Sequence, residues 1–156
     1  MNFTLSPEEL LIQKMAREYA EKYIEPVAEK IDTENRVPED IITGLAELEL
    51  FGLPFKEEYG GAGAGYPSYV LALEQLGRVS SGPVMLISVN CLALGAIDKF
   101  GTEDIKHKYM PRACKGMKLA SFAFTEPGTG SDPKQITTTA VKEGEHYILN
   151  GTKRFI

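Results

Sequence analysis

Cysteine and histidine are too scarce here to build a disulfide framework or a metal centre: the 156 residues hold two of each. Cys91 lies in an apolar stretch and Cys114 in a basic loop. Neither has a C-x-x-C partner or a histidine cluster beside it, so both are expected to be idle or buried thiols in a reducing cytoplasm. An excess of positive charge is also lacking. Seventeen basic residues face 22 acidic ones, a formal −5, without long runs of one sign, which removes the electrostatic footprint of a nucleic-acid binder. No unbroken apolar run approaches the ~20 residues of a membrane span. The longest, over 84–97, is interrupted by Ser88, Asn90 and Gly95. The opening residues 1–9 show neither the basic start nor the apolar centre of a secretory leader.

What the chain does contain divides into a helical part, 1–118, and a strand-forming part, 119–156. Ser6-Pro7-Glu8-Glu9 is a capping box with proline at the first helical position, and predicts a helix starting there. Leu11, Met15, Tyr19 and Tyr23 follow at intervals of four, with Leu10, Ala16 and Ala20 beside them, as one apolar stripe. Pro26 predicts a break near Ile24 and Glu25, with helix resuming to about Asp32. A second helix is expected over 38–48 with Ile41, Ile42, Leu45 and Leu48 inward, a third over 67–78, and a fourth over 84–97. The fourth is apolar nearly all round, so the others are expected to surround it as a bundle. A short fifth helix, capped by Thr102, is expected to end at Pro111. The run Glu57-Glu58-Tyr59-Gly60-Gly61-Ala62-Gly63-Ala64-Gly65 lacks the spacing of a dinucleotide fold and reads as a connecting loop.

From Leu119 the period changes to two, with Ala120, Phe122 and Phe124 on one face, predicting a strand. A second strand is expected over 136–141. Glu143-Gly144-Glu145 turns into a third at Tyr147-Ile148-Leu149, and Asn150-Gly151 predicts a hairpin with a return strand from Lys153. These few strands would leave a free edge and no layer opposite Phe122 and Phe124. A mainly α bundle followed by only the first strands of an antiparallel β domain is therefore the expected fold, in a truncated chain.

Chemistry concentrates in Phe122-Ala123-Phe124-Thr125-Glu126-Pro127-Gly128-Thr129-Gly130-Ser131-Asp132. Its glycines let backbone amides converge on an anion, and the hydroxyls of Thr125, Thr129 and Ser131 add donors. A plain turn between strands would have the same composition. The whole string, however, resembles the signature of the acyl-CoA dehydrogenase family. Glu57-Glu58-Tyr59-Gly60-Gly61-Ala62-Gly63, Lys108-Tyr109-Met110-Pro111 and Leu149-Asn150-Gly151-Thr152-Lys153-Arg154-Phe155-Ile156 resemble further family segments in the same order.

The resemblance implies an N-terminal helical domain, a β domain and a second helical domain, the last absent here, with FAD between the second and third. Such enzymes take a hydride from the β-carbon of an acyl-CoA thioester while a glutamate takes the α-proton, giving a trans-2-enoyl-CoA. It implies Thr125 as a donor to the pyrimidine end of the flavin, Phe122 and Phe124 along the ring, Gly130 and Ser131 near the phosphates, and Ser131 also at the acyl-CoA. Phe155 stands where the family has an aromatic residue against the flavin; it reads equally as an inward strand residue. No catalytic base is assigned in this chain, because the family's glutamate lies in the third domain, and Glu126 beside Pro127 reads as structural.

Pro133-Lys134-Gln135 departs from the family pattern; it either shifts the loop near the CoA phosphates or lies on the surface. Asn90, Cys91 and Leu94 read either as a border of the acyl tail or as helix core. The implied partners are acyl-CoA, an electron-transfer flavoprotein and further copies of the full-length chain, with neither nucleic acid nor membrane. An acyl-CoA oxidase or other flavin enzyme of the same superfamily, and a non-catalytic helical interaction module, are the competing readings.

Overall fold

The structure, a computed structural model, describes residues 4–156; residues 1–3, part of the opening segment, lie outside the described residues. The chain forms two compact units, one up to Ala120 and one from Ser121 to Ile156.

In the first unit, α1 spans Pro7–Tyr19 and opens on the expected capping box: the Ser6 hydroxyl accepts from the Glu9 amide and the Glu9 carboxylate from the Ser6 amide. The break at Pro26 is graded. Residues Ala20–Ile24 widen into a π turn in which the Glu25 amide reaches back to the Ala20 carbonyl, and a 3-10 turn at Glu25–Val27 leads into α2, Ala28–Glu34. Proline offers no amide to the ladder, and the register shifts to accommodate it.

The predicted stripe of α1 is buried only in part. Leu10, Leu11 and Tyr23 are about half exposed or more, whereas Ala16, Ala20 and Ile24 are sealed, with Ile12, Met15 and Tyr19 packed beside them. Alanine lets the helix axes approach, and α1 packs chiefly on α4, Gly65–Gly77. There the buried Gln75 accepts from Arg17 Nε at 2.9 Å and from Arg78 at 3.1 Å. On α4 the inward residues are Ser68, Ala72, Gln75 and Leu76, and Val70 is exposed. Helix α3, Glu39–Glu47, buries Ile41 and Leu45 as expected.

Helix α5, Ser81–Phe100, is longer than its predicted core and is not surrounded: Met85, Leu92 and Phe100 face out. By length and composition alone it could cross a membrane, but Ile87, Asn90, Cys91, Ala93 and Leu94 are buried in this unit. Helix α6, Glu103–Cys114, runs through Pro111 instead of stopping there. Burial of Met110, Ala113 and Cys114 offsets the missing hydrogen bond. Thr102 stands at its N-cap without making a side-chain cap bond. Both cysteines are buried and unbridged, and burial pushes the Cys114 thiol up to about 12.

The glycine-rich segment before α4 is structural. A Cβ on Gly61 would lie 2.2 Å from the Phe55 carbonyl oxygen and 2.7 Å from that of Gly52, both backbone atoms that cannot swing aside. Gly61→Ala is therefore expected to lower the thermal midpoint of the full-length protein by roughly 5 °C or more. A calorimetric scan checks this.

In the second unit the only ladder among the described residues is β1, Thr139–Glu143, against β2, His146–Asn150, antiparallel with Glu143 opposite His146. Gly144 at φ 60 makes the two-residue turn. Three strand expectations are corrected. Residues 119–125 are extended but unpaired in any ladder, the second strand starts at Thr139 instead of Ile136, and Asn150-Gly151 ends β2 without a hairpin. Gly151 instead sits against Thr138, where a Cβ would collide with that side chain. The turn signal was outweighed by close packing of the chain leaving β2.

Candidate functional site

The candidate residues all belong to the second unit. Phe122 and Phe124, two apart on an extended segment, point the same way; their rings stack at 5.8 Å between centroids and 11° between planes. Thr125 follows, its carbonyl accepting from the Arg154 amide at 2.8 Å. Its own amide and hydroxyl enter none of the hydrogen bonds among the described residues. Beyond it Glu126 and Thr129 close a tight loop, each amide donating to the other's carbonyl at 3.0 and 3.1 Å.

At the base of this loop the Glu126 side chain is buried and fully engaged. One carboxylate oxygen accepts from the Thr137 amide at 2.8 Å and hydroxyl at 2.7 Å. The other accepts from the Thr138 amide at 3.0 Å, from the Thr138 hydroxyl and from Lys153 Nζ at 2.9 Å. The same ammonium donates to the Phe124 carbonyl at 3.0 Å. The Thr138 hydroxyl foremost, then the Thr137 amide and hydroxyl and Lys153, hold this carboxyl well below the usual range. A depressed folded-state value means that the charge stabilises the unit above the ordinary carboxylate range. That contribution is lost only as pH falls through the depressed value. The structural reading of Glu126 stands: a carboxylate so committed cannot act as a base near neutrality.

The remaining candidates are open. Cβ atoms built on Gly128 or Gly130 meet nothing within 4 Å, and neither glycine has positive φ. Nothing among the described residues demands glycine there, so these positions leave room for an outside group to approach the backbone. Ser131 is exposed, and Thr129 is buried with an Oγ1 that has no partner among the described residues. Asp132 accepts from the Lys134 amide and from the Gln135 side chain, closing Pro133–Gln135 as a short exposed turn. That favours the surface reading of this departure. Phe155 is neither in a strand nor inward: it is 90% exposed, at φ 58, with the Arg154 guanidinium 5.6 Å from its ring centroid.

These features fit a flavin nucleotide. Two stacked aromatic rings, a threonine with uncommitted donors, an exposed serine and a loop without Cβ atoms offer an aromatic ring, a polar edge and phosphates what each needs. A groove on the helical unit, about 700 Å³ and lined by Ile31, Arg36, Val37, Ile42 and Leu86, holds no motif residue. Its arginine is already paired with Glu39 at 3.6 Å. Asn90, Cys91 and Leu94 are sealed in the helical core, which supports the core reading for all three.

Sequence reading missed the partners of Glu126. Thr137, Thr138 and Lys153 passed as β-formers and a motif lysine, and only the pairing of a buried acid with donors from two later segments would have marked them. It also missed Asn90 as a clamp: its Nδ2 donates to the Phe51 and Ala113 carbonyls and its Oδ1 accepts from the Ala120 amide at 2.9 Å.

A helical unit is thus followed by a β-containing unit that carries an open glycine-hydroxyl loop. Comparison with known proteins defines the class. Residues 6–117 match the model of the acyl-CoA dehydrogenase N-terminal domain and residues 121–156 that of the acyl-CoA dehydrogenase middle domain. The chain belongs to the acyl-CoA dehydrogenase family. It is 38% identical over 157 residues to the short-chain specific acyl-CoA dehydrogenase of Clostridium acetobutylicum, covering 100% of this chain and 41% of that one. With the NADH-dependent acryloyl-CoA reductase of Anaerotignum propionicum the identity is 40% over 158 residues, covering 100% of this chain and 40% of the relative. A chain from a solved structure described as that of the electron transferring flavoprotein of Acidaminococcus fermentans superposes with a TM-score of 0.92 at 39% identity. That superposition covers 98% of this chain and 40% of the other. The chain thus spans about 40% of the length of the proteins it matches.

Proposed function

We propose that this chain is the N-terminal part of a cytoplasmic, FAD-dependent acyl-CoA dehydrogenase. Residues 1–118 form its helical domain and residues from 119 the start of its β domain. The reading rests on one observation above others, the loop 125–131, where donors of Thr125 stand uncommitted beside glycines that face open space. FAD, when bound, supplies the acceptor for the β-hydride of an acyl-CoA thioester.

The chain's own residues bind and orient. Thr125 would donate to the pyrimidine end of the ring system, and Phe122 and Phe124 would bound it with apolar surface. Gly130 and Ser131 would hold the phosphates, and Ser131 would also reach the acyl-CoA. Phe155, exposed and next to Arg154, is free to lie against the ring. The α-proton goes to a carboxylate that we assign to the part of the protein outside this chain, so residues 1–156 alone are inactive. The full-length protein assembles as a homo-oligomer and passes electrons to an electron-transferring flavoprotein. The likeness to a chain of such a system supports that partner. The likeness to an acryloyl-CoA reductase supports a second reading, net reduction of a 2-enoyl-CoA by the same site.

The test is to purify the full-length protein and add a short-chain acyl-CoA without oxygen. The expected results are one FAD per chain, bleaching of its visible absorbance and appearance of trans-2-enoyl-CoA. Reoxidation by electron-transferring flavoprotein and not by oxygen separates a dehydrogenase from an oxidase. A reductase would be revealed by NADH-driven consumption of the enoyl thioester. Folded protein without flavin would leave only the helical interaction module.

A further inference from the structure

The most heavily hydrogen-bonded group in the second unit is one the proposed reaction does not use. Glu126 and Lys153 tie together segments far apart in sequence: Phe124–Glu126, Thr137–Thr138 and the chain after β2. The Glu126 side chain is 3% exposed and that of Lys153 24%. A surface pair would be worth little, but a pair with one member sealed and four further donors on its carboxylate is a rigid node.

What the node surrounds is Thr125. The carbonyl before it, on Phe124, is held by Lys153 Nζ at 3.0 Å, its own carbonyl by the Arg154 amide at 2.8 Å, and the side chain after it by the five donors on Glu126. With both flanking peptides pinned, the direction of the Thr125 amide and of its Cα–Cβ bond is set, and the hydroxyl is left only the staggered positions about that bond. The amide and the hydroxyl are the donors left uncommitted.

We infer that Glu126 and Lys153 are positioning residues that fix the donor direction of Thr125 toward the bound cofactor; this rests on the flavin reading above. Both are engaged with protein groups and act through the backbone around Thr125. The hydroxyls of Thr137 and Thr138 belong to the same device, because they hold the carboxylate in the orientation that presents one oxygen to Lys153. Charge is essential to it: an amide in place of the Glu126 carboxylate would bring its own N–H group against donors that already fill the site.

The test compares Thr125→Val, Glu126→Gln, Lys153→Met and the double variant Thr125→Val/Glu126→Gln in the full-length protein. Each is read by FAD dissociation constant, by the visible spectrum and reduction potential of the bound flavin, and by thermal midpoint. Thr125→Val removes the hydroxyl directly and sets the spectral signature of its loss. Glu126→Gln is expected to weaken FAD binding by roughly tenfold and to shift the spectrum and potential of the flavin that remains bound in the same direction as Thr125→Val. In the double variant the two shifts should not add. Lys153→Met should give the same signature more weakly, since four donors to the carboxylate remain, and Lys153→Arg should restore it in part. Lower stability with an unchanged flavin spectrum and potential in Glu126→Gln, while Thr125→Val shifts both, would overturn the inference and leave the flavin reading intact. Wild-type protein that folds without flavin overturns both.

Discussion

Asn90→Leu is expected to destabilise the helical unit by about 3 kcal/mol, more than truncation of most surface or half-buried side chains. The side chain is fully buried on α5 and serves three backbone groups from two other parts of the chain. Leucine has the same branched shape and a somewhat larger volume, so no cavity contributes. What is lost is satisfaction: the Phe51 carbonyl and the Ala120 amide have no other hydrogen bond among the described residues, whereas the Ala113 carbonyl keeps the Gly116 amide at 3.1 Å. Two stranded groups at about 1–3 kcal/mol each bracket the figure. A thermal scan of the full-length protein gives the total. Hydrogen exchange gives its place, with the Ala120 amide losing more protection than the amides in the middle of α1, which speed up only by the loss of global stability. Unchanged protection at Ala120 would mean that the clamp is unimportant.

Asn90 also marks where reading the sequence stopped being sufficient. Some local signals were legible because their cause is local, although Pro111 and Thr102 show that packing can override others. Ser6, Pro7 and Glu9 satisfy each other within one turn, and Pro26 breaks the ladder by its own ring, so both features were predictable from neighbours in sequence. The glycine-hydroxyl loop was legible as a family string, and its residues do stand together. Periodicity could not choose between adjacent stripes on α1, because alanine at 16 and 20 is weakly hydrophobic yet permits the close approach that buries it, while the larger Leu10 and Leu11 stay outside. The same limit explains Gln75 and Asn90, polar residues whose burial depends on partners 58 and 39 residues away. Asn150-Gly151 failed for a related reason: a turn preference of a dipeptide is small beside the packing of Gly151 on Thr138. Glu126 was read correctly as structural from Pro127, but the donors that make it so lie in segments no spacing rule connects.

The contrast between two glycines gives the largest functional effect. Gly61 is forced by the chain itself, since any Cβ would enter the Phe55 and Gly52 carbonyls. Gly130 is not forced by anything among the described residues: a Cβ there would meet nothing within 4 Å and its φ is not positive. If the loop exists to admit phosphates, Gly130→Val should leave folding untouched and remove the cofactor. The expected result is a thermal midpoint of the cofactor-free protein within roughly 2 °C of wild type, with FAD binding weakened by about a hundredfold or more. Such a loss corresponds to about 2.7 kcal/mol, the scale of a phosphate contact blocked at close range. Gly128→Val, also in open space, tests how far the cradle extends along the loop. Isothermal titration of the cofactor-stripped, full-length protein with FAD measures the affinity, and the midpoint without FAD isolates folding. A Gly130→Val protein that binds FAD as tightly as wild type would move the phosphate site away from this loop. It would then leave Thr125, with the Glu126 and Lys153 node behind it, as the part of the cradle still requiring explanation.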